Sequence, residues 1–149
     1  MGDEMSNKRI IYADQDEVRV VVPASTIEAA LKAVPDGVSY EIVDSADIPA
    51  DRTFRNAWQL ICKQIKTDIP RAKTISHEFR RQERRERFAP LDIETSIPAK
   101  AAAAEKKRQK IRDADAILQA DIDNAKTESE LKSLHDAIPL RLPNGRWVL

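Results

Sequence analysis

The stretch Asp51-Arg52-Thr53-Phe54-Arg55-Asn56-Ala57-Trp58 separates two unlike parts of this 149-residue chain. The sequence before it is short, acidic and rich in β-branched residues, whereas the sequence after it is long, highly charged and helical in pattern. This contrast predicts an α+β protein, with a small N-terminal ββαβ module followed by an extended, mostly α-helical C-terminal region that forms a helical hairpin or short coiled coil. We expect a module over residues 1–50, a junction over 51–70, and a charged helical region over 71–149 that ends in an apolar tail.

The junction carries large apolar residues at helical spacing. Phe54, Trp58, Ile61 and Ile65 recur at i, i+4, i+7 and i+11, which predicts one face of an amphipathic helix. We therefore predict Phe54, Trp58 and Ile61 as structural anchors. Trp58 can bury on the order of 200 Å², and we expect it to dock the module on the helices. A strand that begins near Cys62 is the alternative, because apolar and polar residues alternate there.

The N-terminal module has the signals of two paired strands, a helix and a third strand. Two β-branched runs, Ile10–Tyr12 and Val18–Val22, flank a polar segment over residues 13–17 and predict a hairpin. Ser25 and Glu28 have capping-box spacing at the start of a short helix, and residues 38–43 then predict the third strand. A module of about 40 residues has a marginal core, so we expect it to need the helices, a partner or a second copy.

The C-terminal region predicts several helices with little apolar surface. Asp68 and Pro70 mark a helix start, and residues 99–108 have very high helix propensity. A narrow apolar stripe then continues over Ile111, Ala114, Leu118, Ile122 and Ala125. Such a stripe favours an antiparallel helix pair or a short coiled coil. Thr127–Glu130 has the spacing of a second capping box, before a last helix.

Charge is distributed unevenly along the chain. The 25 basic and 25 acidic residues cancel, yet residues 1–50 carry four basic against ten acidic residues, a net of −6, and residues 51–110 carry sixteen against eight, a net of +8. An acidic end beside a basic middle can attract head to tail, within one chain or between subunits. The run over residues 80–87 has five arginines and no apolar face, which favours a solvated spacer or a surface for a partner. The predicted partner-binding residues are Arg80, Arg81, Arg84, Arg85, Arg87, Trp147 and Leu149.

The sequence offers little that predicts catalysis or a cofactor. His77 and His135 lie far apart and have no ligand spacing, so we predict neither a metal site nor a cofactor. Three glycines are too few for a phosphate-cradling loop, and Cys62 has no nearby base. We therefore expect no enzyme activity. No apolar run approaches the roughly 18 residues that cross a bilayer, so membrane insertion is not expected. Nucleic acid is also not an expected partner, because Glu83 and Glu86 interrupt the basic runs and few aromatic residues are available to stack on bases.

One block of the sequence resembles a known group of proteins. The string IVDSADIPADRTFRNAW, residues 42–58, is similar to a block in small tail and tail-fibre-associated proteins of tailed bacteriophages and prophages. The similarity extends over roughly residues 8–90, with looser likeness in the segments 67–73 and 88–94. The group carries no active-site pattern that could be transferred to this chain.

The resemblance implies a context. We expect a non-enzymatic structural component of a phage tail, made in the bacterial host cytoplasm and located in the virion. It would connect or organise tail fibres or baseplate through contacts with other tail proteins and with copies of itself as a homo-oligomer. The alternative is a tail-fibre assembly chaperone that is absent from the mature virion. A basic helical adaptor for nucleic acid is a third class.

Overall fold

A computed structural model describes residues 7–138, which divide into two compact units between Arg71 and Ala72. The first unit is built mainly from strands and the second from helices, so the predicted α+β class is confirmed. Residues 51–70, expected to be a separate junction, belong to the first unit. No helix in the described range has both the length and the apolar character needed to cross a membrane.

The first unit begins with the predicted ββαβ module. Strand β1 (Lys8–Asp14) pairs with β2 (Glu17–Val21) and with β3 (Tyr40–Asp44), both antiparallel, in the order β2-β1-β3. The loop between β1 and β2 is shorter than the sequence predicts, because only residues 15 and 16 lie between the strands. Gln15 adopts φ 55° there, in the left-handed region that tight hairpin turns require.

Helix α1 (Ile27–Leu31) connects β2 to β3 and contacts β1. Its N-cap is Thr26 rather than Ser25, since the Thr26 hydroxyl accepts a hydrogen bond from the Ala29 N–H at 3.1 Å. The predicted capping box from Ser25 to Glu28 is therefore displaced by one residue. A threonine satisfies the first turn of a helix almost as well as a serine, so two adjacent candidates cannot be separated by residue type.

The helix predicted over residues 54–65 is wrong, because that segment forms a β-hairpin. A single 3₁₀ turn over residues 55–57 precedes β4 (Trp58–Ile61), which pairs antiparallel with β5 (Gln64–Thr67). Cys62 and Lys63 form the two-residue turn at φ 50° and φ 67°, the conformation that matches the twist of paired strands. Because side chains alternate along a strand, Ile61 points away from Trp58 and is 42% exposed. The prediction that Ile61 is an anchor is also wrong.

The core of the first unit lies between the sheet and this hairpin. Trp58 and Phe54 are fully buried, as predicted for anchors, and Trp58 packs against Ile11 and Val18. Partly buried residues close the cluster: Val20, Val43, Ile48, Leu60 and Ile65. Trp58 therefore joins the two β-layers of the first unit, and its predicted role in docking the helices is not what its described contacts show.

The second unit contains a helical hairpin and a short third helix. Helix α2 (Ile69–Thr95) starts at the end of the first unit and continues past Pro90, and helix α3 (Pro98–Asn124) runs antiparallel to it. Helix α4 (Glu128–Asp136) is capped by Thr127, whose hydroxyl accepts from the Glu130 N–H at 3.2 Å. The buried apolar side chains are few: Ala72, Ala104, Ile111, Ile122, Ala125, Leu131 and Ile138.

Candidate partner-binding site

The arginine run on α2 divides into an inward and an outward set. Arg80 is buried, with 3% of its surface exposed, and both Arg80 and Arg84 form ion pairs with one carboxylate on α3. Arg81 and Arg85 are exposed, while Arg87 is half-buried. A helix with 3.6 residues per turn separates the two sets, since positions four apart share a face and neighbouring positions do not. The other two predicted contact residues, at positions 147 and 149, lie outside the described residues.

The inward arginines meet Asp115 of α3. Arg80 Nη1 donates to both Asp115 oxygens, at 2.7 Å and 2.6 Å, and Arg84 Nη1 donates to Oδ2 at 2.7 Å. Asp115 is itself only 9% exposed. A buried carboxylate costs free energy unless it is paired and hydrogen-bonded, and these two guanidinium groups supply both requirements. We name Arg80, Asp115 and Arg84 the ionic cluster.

Polar contacts continue from the ionic cluster along the interface between α2 and α3, which we call the seam of the hairpin. Arg80 Nε lies 3.4 Å from His77 Nδ1, and His77 Nε2 lies 2.8 Å from Asp123 Oδ1. A guanidinium can only donate, so Nδ1 accepts and the imidazole proton lies on Nε2, facing the carboxylate. Lys73 Nζ then donates to the backbone carbonyl of Asp123 at 2.8 Å. Ion pairs and hydrogen bonds therefore occupy positions where an ordinary helical hairpin has apolar side chains.

A second charged group lies toward the hairpin tip. The guanidinium groups of Arg108 and Arg112 lie 5.7 Å and 5.8 Å from the centre of the Phe88 ring, within the range of a cation–π contact. Both also bind Glu105, at 3.1 Å and 2.8 Å. The hydrogen bond from Arg112, followed by the positive charges of both arginines, lowers the pKa of Glu105 below its ordinary value of 4.5. The carboxylate is thus held in its charged form.

Helix α4 covers one side of the hairpin near its open end. Leu131 and Ile138 are buried, and the His135 ring stacks on Phe79 with centroids 4.9 Å apart. Ser76 Oγ lies 3.0 Å from His135 Nδ1. This serine–histidine pair is unsuited to nucleophilic catalysis, because Ser76 has no exposed surface through which a substrate could reach it. The contact holds α4 on α2.

A small cavity of about 60 Å³ lies beside the ionic cluster and is lined on one side by Ile111, Leu118 and Ile138. That volume holds a few waters at most. It has no room for a drug-sized ligand, which needs a pocket of roughly 300 Å³ or more.

Exposed cations remain once the inward charges are paired. On helices α2 and α3, six exposed basic side chains take part in no ion pair: Arg81, Arg85, Lys100, Lys106, Lys107 and Lys110. We name this group the exposed basic set. Because these charges are not neutralised within the described chain, they are free to attract an acidic surface.

Three features of this site were not predicted from the sequence: Asp115, the seam contacts of His77 and Asp123, and the burial of Ser76. Asp115 lies four residues after Ile111 and seven before Ile122, so it belongs to the apolar stripe of α3 by position. A carboxylate at that position is a signal that could have been recognised, since it requires a cationic partner on the facing helix.

No metal site is evident in the described part of the chain, where no three His, Cys, Asp or Glu side chains are grouped to hold an ion. Comparisons with protein-family models, with curated proteins and with solved structures find no match for this chain. The resemblance to tail-associated phage proteins therefore stays a prediction from the sequence.

Proposed function

We propose that this protein is a non-enzymatic structural component of a bacteriophage tail. It connects or organises tail fibres or baseplate through contacts with other tail proteins and with copies of itself. The phage context comes from the resemblance of residues 42–58. The observation that carries the connecting role is the division of the arginine run into an internal ionic cluster and an outward exposed basic set.

This division fits a binding module that presents charge on a rigid support. The ionic cluster fixes α2 against α3, so Arg81 and Arg85 are displayed from a helix whose orientation is set by its partner helix. Charges that are held in place lose less conformational freedom on binding. We therefore propose Arg81 and Arg85 as the contact residues on α2, and we assign Arg80 and Arg84 to the support.

The chemistry of the partner follows from the sign of this charge. An acidic protein surface is favoured, because Lys and Arg side chains arranged without stacking aromatic rings bind carboxylates without selecting bases. Such contacts weaken as salt screens them, with a Debye length of about 8 Å at physiological ionic strength. Removal of the protein from an assembly should accordingly become easier in high salt unless apolar contacts add to the interface.

Quantitative mass spectrometry of purified phage particles tests the proposal. Recovery at a fixed ratio to a known tail protein, from particles washed at low ionic strength, is the expected result. Absence from particles with a soluble complex of this chain and fibre protein in the lysate would instead establish an assembly chaperone. Binding to nucleic acid that falls steeply with salt, without incorporation into particles, would establish the adaptor class.

A further inference from the structure

Strand β3 lies at one edge of the three-stranded sheet. Within residues 7–138, the strand order β2-β1-β3 gives it one neighbour, β1, and leaves its other side open. Tyr40 and Ile42 project from the side of the sheet away from Trp58 and are 43% and 46% exposed. Proteins usually protect such edges with charges, bulges or a covering segment, because an open strand is a template for pairing with another chain.

The backbone of β3 shows which of its groups face outward. The Ser45 N–H bonds to the Asn7 carbonyl at 2.6 Å, toward β1, whereas the Asp44 N–H bonds to the Asp47 side chain at 3.3 Å. Backbone N–H groups alternate in direction along a strand. The amides of Tyr40 and Ile42 therefore face the open edge, and their side chains lie on one face of the sheet.

The charges of this edge are already neutralised within the chain. Lys8 binds Asp44 at 2.7 Å, and Lys63 lies 3.8 Å from Glu41. The two acidic side chains of β3 therefore do not act as the repulsive charges that would keep a second strand away.

We propose that β3 pairs antiparallel with β3 of a second copy, about a two-fold axis at Ile42. This register places Ile42 opposite its own counterpart, and it places Glu41 opposite Val43 and Asp44 opposite Tyr40. No two acidic residues face each other, which is the charge condition for stable cross-strand pairs. A register shifted by one residue in either direction would instead set acidic side chains of the two copies opposite or beside one another. The two sheets become one of six strands, and Tyr40 and Ile42 of both copies form a single apolar cluster.

This contact deepens the proposed function, because it supplies the homo-oligomeric interface of that proposal. Its geometry is isologous, so it closes as a dimer rather than extending as a filament. The purified chain suffices to test it. A monomeric chain found in particles would overturn the pairing alone, and a dimeric chain absent from particles would overturn the tail assignment alone.

Sedimentation velocity over a concentration series is the first test. The wild-type chain should shift from monomer to dimer, and Ile42→Lys should remain monomeric. Val22→Lys is the matched control, since Val22 is 62% exposed but lies beyond the end of β2; this variant should dimerise like wild type. A wild-type chain that stays monomeric overturns the proposal, as does a dimer that survives Ile42→Lys or is lost in both variants.

Disulfide trapping tests the register independently of any effect on folding. In a Cys62→Ser background, Ile42→Cys places two thiols across the two-fold axis, with Cα atoms about 5.5 Å apart, a separation that disulfides span. Tyr40→Cys is the control, because the proposed register separates its two copies by about 14 Å along the strands. Oxidation should give covalent dimers of the first variant and not of the second. Equal cross-linking of both, or of neither, overturns the register.

Discussion

Removing Asp115 should destabilise the helical hairpin strongly. The carboxylate accepts three hydrogen bonds from two guanidinium groups, and both Asp115 and Arg80 are almost fully buried. In Asp115→Ala, Arg80 would keep its positive charge inside the hairpin with only the long contact to His77. Breaking a buried ion pair by removing one partner costs about 3–5 kcal/mol, and we expect a loss in this range for the free energy of unfolding.

The two arginines should not contribute equally. Arg84→Ala leaves Asp115 bound to Arg80, and the Arg84 side chain is 38% exposed, so we expect only about 1 kcal/mol. Replacing both Arg80 and Asp115 with leucine removes the charges together. That double variant should recover most of the stability lost in Asp115→Ala, since well-packed apolar residues often replace a buried ion pair without loss.

Urea unfolding followed by far-UV circular dichroism measures these differences, because most helical residues lie in the second unit. Asp113→Ala is the matched control: Asp113 is exposed two residues away on the same helix, and its loss should change the free energy of unfolding by no more than about 0.5 kcal/mol. If Asp115→Ala changes stability as little as Asp113→Ala, the ionic cluster does not hold the hairpin and the reasoning fails.

Three further predictions concern an anchor, a helix cap and a carboxyl group. Trp58→Ala should lower the free energy of unfolding of the first unit by about 3–5 kcal/mol, because it removes a fully buried aromatic ring. Amide hydrogen exchange, or near-UV signals that do not come from tryptophan, would measure this loss of stability. Thr26→Ala should lower the free energy of unfolding by about 1 kcal/mol through loss of the α1 cap, whereas Ser25→Ala should lower it little. Thermal melts in which Ser25→Ala is the less stable variant would instead identify Ser25 as the cap, as the sequence predicts. Arg112→Ala should raise the pKa of Glu105 toward 4.5, as followed by carboxyl NMR, and an unchanged pKa would remove Arg112 as the cause.

The sign of the Glu105 effect is also testable. Because its folded-state pKa is lowered, the contribution of the charged Glu105 carboxylate to stability is complete above pH 4.5 and is lost as the pH falls through the lowered value. Glu105→Gln should therefore flatten the acid side of the stability profile.

Ile61→Ala is the matched control for Trp58→Ala. It should leave the free energy of unfolding nearly unchanged, since Ile61 is exposed.

The order of elements could be predicted from the sequence where residue type gave a clear signal. Runs of β-branched residues favour strands at β1 and β2, and Thr127 stands at a helix start, so both regions were predicted correctly. The alternative of a strand that begins near Cys62 corresponds to β5. Strand β4 and the hairpin itself were missed, because the turn consists of Cys62 and Lys63 rather than the Asn-Gly or Asp-Gly pair that usually adopts positive φ. Without that signal, the spacing of Phe54, Trp58 and Ile61 favoured a helix.

The candidate site was only partly accessible from the sequence for a different reason. A basic run on a helix with no apolar face predicts solvent or partner contacts, yet Arg80 is buried. Its partner, Asp115, lies 35 residues away along the chain. Single-sequence patterns describe the periodicity of one helix and contain nothing about which residues of a second helix face it. Long-range ion pairs therefore become evident only when the register of the hairpin is known.

The most direct test of the connecting role is to count this protein in particles that carry Arg81→Glu together with Arg85→Glu. Both side chains are exposed and outside the ionic cluster, so the variant should fold like wild type by circular dichroism. We expect mass spectrometry to find the charge-reversed protein strongly depleted from particles while it remains soluble in the lysate. Incorporation at the wild-type ratio would contradict the proposal that the exposed basic set binds another tail protein.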